Sequence, residues 1–304
     1  MRVLVTGATG LVGRALSDAL AARGHAIVAL SRHPGSAGAL PPGTERIQWD
    51  ALAAPAPARA FADVDAIVHL AGETVGQRWT AARKRRIRDS RVIGTRNLLA
   101  PLAALAPRPR VLVCASAIGI YGDRGEETIT ESSPPGSGFL PALCTEWETA
   151  AMGAEGLGLR VVRLRIGVVL AADGGALGRL LVPFKLGLGG PVGHGRQWVS
   201  WIDRTDVVGL ALHAIENPDA TGAWNATAPE PVRNADLARA LGAVLRRPAI
   251  LPTPAFALRL AFGDMAEVLL GGQRVLPARA EASGYAFHQR SLEPALRAIL
   301  APRS

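Results

Sequence analysis

The chain has 304 residues, of which 49% are hydrophobic and 19% charged, a globular composition that excludes a disordered chain. Its formal net charge of +9 comes almost wholly from arginine, because Lys84 and Lys185 are the only lysines; the arginines are spread over the whole length, which argues against a localised nucleic-acid surface. No apolar run reaches the ~18 residues of a membrane span, and Cys114 and Cys144 lack metal-ligand spacing, so we expect a cytoplasmic protein with reduced thiols, no metal, and no nucleic-acid or membrane partner.

Apolar strands and helices alternate through the first half of the chain. The predicted strands are "RVLVT", "HAIVALS", "RIQWD", "VDAIVHLAG", "PRVLVCASA" and "LRVVRLRIG". Helices are predicted in "LVGRALSDALAARG", from about residue 79 to residue 105, and in "ALCTEWETAAMGAEG". This alternation predicts an α/β fold of the Rossmann type, a doubly wound parallel sheet with helices on both faces.

The alternation loosens after Gly167, where "GGALGRLLVPFKLGLGGPVGHG" is rich in glycine and prolines multiply from Pro229 onward. We expect residues 1–170 to form a nucleotide-binding domain and residues 171–304 a smaller, C-terminal substrate-binding lobe. Residues 195–227 are expected to return to the first domain, since "TGAWNATA" is typical of a further strand of the main sheet.

Three glycines follow the first strand and open the first helix. The first glycine lets the chain turn off the strand, the second admits a pyrophosphate, and the third lets helix and strand pack closely. The free amides of the helix N-terminus then bind phosphate oxygens. The residues predicted to contact a dinucleotide here are Gly7, Thr9, Gly10, Leu11, Val12 and Gly13.

The end of the second strand indicates which dinucleotide binds. An NAD site places an acid there, ~20 residues beyond the glycines, to bind the ribose 2′-hydroxyl. This chain has no acid between Asp18 and Glu45. Ser31 and Arg32 instead suit a 2′-phosphate, so we predict NADP(H) as the cofactor.

The glycine spacing resembles that of the extended short-chain dehydrogenase/reductase superfamily. The motifs "LAGE", "GVVLAADGGALG", "PFKLGLGGPVGHGRQ", "WID", "PVRN" and "GGQRVLP" narrow the resemblance to an atypical subgroup, the YfcH-like proteins of the NAD-dependent epimerase/dehydratase family with a C-terminal extension. The resemblance runs essentially end to end and implies a homodimer formed through two long helices. The further cofactor contacts expected from it are Leu70, Ala71, Gly72, Arg91, Ala115, Ser116, Arg165 and Val169. For Leu70, Ala71 and Val169, ordinary core packing is the alternative interpretation.

Catalysis in that superfamily uses a Tyr, a Lys four residues later, and a Ser or Thr that orients the substrate oxygen. The resemblance places Phe139, Leu143 and Ala117 at these three positions. Phe has no hydroxyl and Leu no charge, so the usual proton relay cannot operate. Ser116, one position away, is a candidate substitute, with packing at a strand end as its alternative.

Other groups that follow predicted strands are candidates for moving a proton. Glu73 follows the fourth strand at the edge where ligands bind in open α/β sheets. Tyr121 and Asp123 lie beyond the next strand, and His194 belongs to the glycine-rich segment of the second lobe. The alternative for each is a loop residue that makes a turn or a surface hydrogen bond.

Two functions therefore fit the sequence. The first is an NADP(H)-dependent oxidoreductase or epimerase-like enzyme that acts on a small substrate, nucleotide-linked ones included, without the Ser-Tyr-Lys set, because hydride transfer needs only a cofactor and a positioned carbonyl. The second is a non-catalytic protein that binds NADP(H) as a structural ligand or redox signal. A basic nucleic-acid-binding protein is a third, minor hypothesis.

Overall fold

A computed structural model describes residues 1–35 and 40–301 of the chain. The strands in these ranges are β1 (Arg2–Thr6), β2 (Ala26–Ser31), β3 (Glu45–Gln48), β4 (Ala66–His69), β5 (Val111–Ala117), β6 (Thr128–Ile129), β7 (Arg160–Ile166), β8 (Val168–Ala171), β9 (Trp198–Val199), β10 (Trp201–Asp203), β11 (Gly222–Ala226), β12 (Val232–Arg233) and β13 (Arg274–Val275). The α-helices are α1 (Leu11–Ala22), α2 (Ala81–Leu99), α3 (Phe139–Met152), α4 (Gly175–Lys185), α5 (Arg204–Glu216), α6 (Asn234–Leu245), α7 (Ala255–Phe262), α8 (Ala266–Leu270), α9 (Ala278–Ala282) and α10 (Leu292–Leu300).

The main sheet has seven parallel strands in the order β3-β2-β1-β4-β5-β7-β11. The strand order reverses at β1, where Val5 lies between Ala29 of β2 and Val68 of β4. This arrangement confirms the predicted doubly wound α/β fold of the Rossmann type. The edge strand β11 comes from the second half of the chain, with Trp224 opposite Leu164 of β7.

The alternation of side chains along β1 explains why helices cover both faces of the sheet. Val3 and Val5 point to one face, where they pack in a core with Leu16 of α1 and Val207 of α5. Leu4 points to the other face, into a second core that includes residues of α2 and α3. Strands buried on both faces need continuous apolar runs, which is why "RVLVT" shows no polar alternation.

A third core, formed by α4, α6 and α10 around the fully buried Trp201, lies in the second half of the chain. The glycine-rich segment after Gly174 contains a helix here, α4, which the sequence did not predict; Leu177, Leu181 and Phe184 are its buried side chains. Two-stranded sheets pair β8 with β10, β9 with β12, and β6 with β13. Among the residues described, no helix is both long and apolar enough to cross a bilayer.

Candidate functional site

The glycine turn between β1 and α1 is built by backbone packed directly on backbone. Gly7 has φ +70°, and a Cβ added there would lie 2.9 Å from the backbone nitrogen of Ala71. A Cβ on Gly13 would lie 2.1 Å from the carbonyl oxygen of Gly7. Both contacts are too close for a carbon atom, so these positions require glycine.

The first turn of α1 is left open toward ligands. Gly10 is its N-cap in extended backbone, no side chain caps the helix, and the first turn holds no acid. The amides at such an end have no partner in the helix itself, and the helix dipole favours an anion. The geometry therefore fits a pyrophosphate at Gly10, Leu11 and Val12. Thr9 is exposed beside this turn.

Two further predicted segments adjoin the turn. A Cβ on Gly7 would contact the carbonyl of Leu70 as well as Ala71, so the loop after β4 lies against the glycine turn. The side chain of Leu11 lies 3.1 Å from where a Cβ on Gly174 would be, so the turn after β8 adjoins it from the second half of the chain. Val169, in β8, is half-buried opposite Ile202.

The end of β2 is basic and exposed. Ser31 is the last residue of the strand, and its Oγ accepts a hydrogen bond from the His33 amide at 3.3 Å. The Arg32 side chain that follows is exposed. The predicted 2′-phosphate contacts thus stand at the same strand edge as the glycine turn, with no carboxylate beside them in sequence.

A buried hydrogen-bond chain fixes the loop after β4. The Thr95 hydroxyl donates to the Arg91 carbonyl at 2.6 Å, so it accepts from His69 Nε2 at 3.0 Å. His69 Nδ1 then accepts from the Thr6 hydroxyl at 2.6 Å, and Thr6 accepts from the Ala71 amide at 3.2 Å. Burial lowers the His69 pKa to about 4, so the ring is neutral and the chain has one direction.

Arg91 holds the same loop from the other side. Its guanidinium donates to the Glu73 carbonyl at 3.0 Å and lies 3.1 Å from where a Cβ on Gly72 would be. It also lies 5.0 Å from the ring centroid of Trp147. Burial lowers the Arg91 pKa. These contacts give Arg91 a role in positioning the loop, and its predicted direct contact with the cofactor stays a prediction.

Beyond β5 and β7 the structure buries a polar network that the sequence did not indicate. Ser116, Arg165 and Asn225 are register partners on β5, β7 and β11. Glu148, from α3, accepts from Ser116 Oγ at 2.7 Å and from Arg165 Nε and Nη2 at 2.8 and 2.9 Å. The fully buried Tyr121 accepts from Arg165 at 2.8 Å and donates to Asn225 Oδ1 at 2.7 Å.

Three residues of this network, Ser116, Tyr121 and Arg165, were predicted to contact the cofactor or to take part in catalysis. Burial alone would lower the Arg165 pKa, but its hydrogen bonds and charge interaction with Glu148 outweigh burial and raise it. Burial raises the Tyr121 pKa. Both hydroxyls, of Ser116 and Tyr121, already have strong partners, so a catalytic role for either would require the network to open. Ala115 is buried in the core beside them.

The resemblance assigns the usual relay to three positions that are apolar in this chain, and the side chains around two of them, Phe139 and Leu143, are apolar as well. Phe139 begins α3 and meets the Trp79 ring edge-on at 5.1 Å. Leu143 is 3% exposed in the same cluster, with Met265 from the C-terminal region. Ala117 ends β5. Phe139 itself is half-buried, so of these three positions Leu143 is the most enclosed.

The remaining proton-donor candidates lie in other surroundings. Glu73 is paired with two cations of α2, Arg83 at 3.1 Å and Arg86 at 3.4 Å. Its role as an acid stays a prediction. Asp123 and His194 line a cleft of about 480 Å³, to which the glycine turn does not contribute.

That cleft is bordered by an ion pair stacked on an indole ring. Arg233 donates to Glu126 at 2.6 and 2.8 Å, and its guanidinium lies 3.9 Å from the Trp198 ring centroid. Hydrogen bonds from Arg233 and Trp198 hold the Glu126 pKa at about 2. Within residues 1–35 and 40–301, no three His, Cys, Asp or Glu side chains are grouped so as to hold a metal ion.

Sequence reasoning missed several residues that shape the site: Thr6, His69, Thr95, Glu148 and Asn225. A weak signal existed for His69, since "AIVHLAG" puts one polar side chain inside a buried strand. No local signal existed for Glu148, which looks like an ordinary helix acid.

Comparison with known proteins places the chain among relatives of its own length. A family model described as the NAD dependent epimerase/dehydratase family matches residues 3–226, and a domain of unknown function, DUF1731, matches residues 253–299. The Arabidopsis thaliana protein named epimerase family protein SDR39U1 homolog, chloroplastic, is 40% identical over 99% of this chain and 87% of its own length. Epimerase family protein YfhF of Bacillus subtilis is 36% identical over 100% of this chain and 99% of its own.

A solved structure is similar over the same length. The crystal structure of human epimerase family protein SDR39U1 (isoform 2) with NADPH superposes with a TM-score of 0.87 at 36% identity. The match covers 98% of this chain and 99% of that one.

Proposed function

The chain belongs to the NAD dependent epimerase/dehydratase family, and from that membership we propose that it binds NADP(H) at the carboxyl edge of its main sheet. The observation that carries the proposal is the turn at Gly7 and Gly13, where backbone packs on backbone and leaves the N-terminus of α1 uncapped. The exposed Arg32 at the end of β2 supplies the contact for a 2′-phosphate. The human relative solved with NADPH supports the same choice of nucleotide.

The reaction that we propose is reversible hydride transfer at a carbonyl or hydroxyl carbon of a small substrate, nucleotide-linked ones included. The nicotinamide, when bound, supplies the hydride chemistry. This chain contributes position: the chain of bonds from Thr6 through His69 to Thr95 fixes the loop after β4, and Glu148 fixes the ends of β5 and β7. Positioning alone is a large part of the acceleration of such reactions.

A non-catalytic NADP(H)-binding protein is the second candidate function. A specific observation favours it: Phe139 and Leu143 are packed in an apolar cluster, and the hydroxyls of Ser116 and Tyr121 are already hydrogen-bonded. In that case nucleotide binding would be retained and turnover absent. Location in the cytoplasm and the homodimer remain predictions under either function.

Calorimetric titration with NADPH and NADH tests nucleotide binding. We expect the wild type to prefer NADPH by about tenfold or more, equivalent to 1.4 kcal/mol, and Arg32→Ala to abolish the preference. Arg85→Ala is the matched control, because that side chain is also exposed but lies on α2. Equal affinity of the wild type for both nucleotides would remove the 2′-phosphate assignment, and failure of both to bind would refute the proposal.

A screen of small carbonyl compounds for NADPH oxidation separates the two functions. A substrate that is turned over supports the enzyme, and Glu73→Gln then tests the acid: unchanged turnover would exclude Glu73 as the proton donor. NADPH binding with no turnover across aldehydes, ketones and nucleotide-linked sugars would favour the non-catalytic protein.

A further inference from the structure

Exposed apolar side chains are concentrated on one part of the second lobe. Among the large hydrophobic residues described as exposed, most belong to two stretches, 182–188 and 250–268. The most exposed of these side chains, those of Leu186, Phe256, Leu260 and Ile250, are 70–78% accessible to solvent. We call the following six the apolar surface: Leu186, Leu188, Ile250, Leu251, Phe256 and Leu260.

Hydrogen bonds join these two stretches. The Leu251 amide donates to the Gly189 carbonyl at 3.1 Å, and the Thr253 amide donates to the Pro191 carbonyl at 2.9 Å. Arg247 Nε donates to the Lys185 carbonyl at 3.2 Å. The loop that follows α4 therefore lies beside the loop that leads into α7, which brings the exposed apolar residues of the two loops into the same region of the surface.

Helix α7 buries some of its large apolar side chains but turns two of them outward. Leu258 is buried, whereas Phe256 and Leu260, four residues apart on one face, are 73% and 76% exposed. A surface helix normally turns its apolar face to the core. Scattered exposed apolar residues need no explanation, but a contiguous group of this kind marks a surface that meets another apolar phase.

The same surface is positively charged. No Asp or Glu occurs between Asp173 and Asp203, or between Asp236 and Asp264, although the chain's 25 acids in 304 residues would place about five in stretches of that combined length. The cationic residues of these stretches are Arg179, Lys185, Arg196, Arg239, Arg246, Arg247 and Arg259. Arg239 and Arg259 are paired with Asp236 and Glu267, which lie just outside the stretches. Lys185 and Arg246 are exposed, and neither forms an ion pair within the described part of the chain.

Charge and apolar character together select the partner. A second copy docked on this face would bring two cationic surfaces together, which is unfavourable. A nucleic acid would need aromatic side chains for stacking, and the surface has only Phe256. An anionic bilayer satisfies both properties, since aliphatic side chains enter the acyl boundary while Lys and Arg meet the head groups.

We propose that this apolar, cationic surface docks the protein peripherally on an anionic lipid bilayer. The earlier expectation of no membrane partner rested on the absence of a spanning segment, and peripheral docking needs none. The proposal does not depend on the cofactor, because none of the six residues belongs to the glycine turn.

Vesicle co-sedimentation of the full chain tests the proposal. We expect binding to vesicles of phosphatidylcholine mixed with phosphatidylglycerol, and much weaker binding to phosphatidylcholine alone. Phe256→Ser with Leu260→Ser should weaken binding about tenfold or more, since both side chains lose their apolar contact with lipid. Leu52→Ser, an exposed leucine outside the surface, is the control and should leave binding unchanged.

A pair of charge-reversal substitutions distinguishes the effect of this surface from the effect of the net positive charge of the whole protein. Lys185→Glu with Arg246→Glu should abolish the preference for anionic vesicles, whereas Arg85→Glu with Arg96→Glu, the same change on exposed positions of α2, should not. Thermal melting of each variant confirms that the fold is kept. Equal losses in the two charge pairs would overturn the proposal, as would wild-type protein that ignores anionic vesicles.

Two further outcomes would assign the surface to another partner and refute lipid docking. Light scattering could show a wild-type dimer that the Phe256→Ser, Leu260→Ser variant converts to monomer. Competition by a single-stranded oligonucleotide, with vesicle binding unaffected in the serine variant, would indicate a nucleic-acid surface.

Discussion

Gly10 and Gly13 lie three residues apart, yet the structure predicts opposite consequences for replacing them with alanine. At Gly13 a Cβ would lie 2.1, 2.8 and 2.9 Å from three backbone atoms of residues 7 and 8, none of which can rotate away. Separating them requires a shift of about 1 Å between α1 and the turn, and such overpacking costs about 2 kcal/mol. We expect a melting temperature lower by about 3 °C, since the unfolding entropy scales with the length of the chain.

Gly10 has φ −75° and ψ 175°, a conformation open to any residue, and the nearest atom to an added Cβ is the Gly7 carbonyl oxygen at 3.2 Å. Its replacement by alanine should cost about 1 kcal/mol or less in stability. The methyl group would instead project where a pyrophosphate approaches, so NADPH affinity should fall about tenfold or more, equivalent to 1.4 kcal/mol.

Melting followed by circular dichroism, and titration with NADPH, measure the two effects separately. Gly156→Ala is the control, because no atom lies within 4 Å of a Cβ there and the site is remote. Wild-type NADPH affinity in Gly10→Ala would show that no pyrophosphate lies at this turn. A Gly13→Ala protein as stable as the wild type would refute the packing argument.

Three further predictions concern buried groups. The His69 pKa is near 6.5 in the unfolded chain, and burial lowers it to about 4 in the folded protein. The unfolded state therefore binds more protons between these values, so His69 should lower the free energy of unfolding by about 3 kcal/mol as pH drops from 6.5 to 4. Urea unfolding of His69→Gln should show the pH dependence of the wild type reduced by about that amount. Leu143→Lys should lower the unfolding free energy by about 3 kcal/mol, because it buries a charge among apolar side chains, whereas Phe139→Tyr, at a half-buried position, should cost about 1 kcal/mol by the same denaturation assay. Glu148→Gln should lower the free energy of unfolding by about 3 kcal/mol, since Arg165 keeps its charge and loses its buried partner. If guanidinium unfolding shows a decrease below about 1 kcal/mol, solvent reaches the pair.

The parts of the fold that the sequence predicted depend on local patterns. An apolar run, a glycine triplet and a helical spacing each lie within a dozen residues, and "RVLVTGATGLVG" holds all three. The order of strands follows from the same alternation, because parallel strands joined by right-handed crossovers have few ways to form a sheet. Helix α4 was not predicted because its glycines and Pro183 are typical of a loop. Its buried Leu177, Leu181 and Phe184 pack against α6 and α10, contacts that the local sequence does not show.

The buried polar network could not be predicted, because its members meet only through sheet register and through the packing of α3 on the sheet. Ser116 and Arg165 are opposite each other on neighbouring strands, and Asn225 joins from a strand nearly sixty residues further on. A one-residue slip of β7 would turn Arg165 to the other face. The sequence showed an arginine in an apolar strand, but only the packing of α3 on the sheet shows that Glu148 compensates its charge.

Phe139 and Leu143, which the resemblance places at the positions of the usual Tyr and Lys, pack against the C-terminal extension. Phe139 is held edge-on by Trp79, and Leu143 packs in the same cluster as Met265, which lies in the segment matched by the second family model. A Lys in place of Leu143 would bury an ammonium beside that segment, which is unfavourable without water or an acid within reach. Lys84 approaches the Phe139 ring at 5.3 Å but is paired with Asp264 at 2.6 Å, so it brings no free charge. The extension thus packs over the start of α3, where Phe139 and Leu143 offer no group that could transfer a proton.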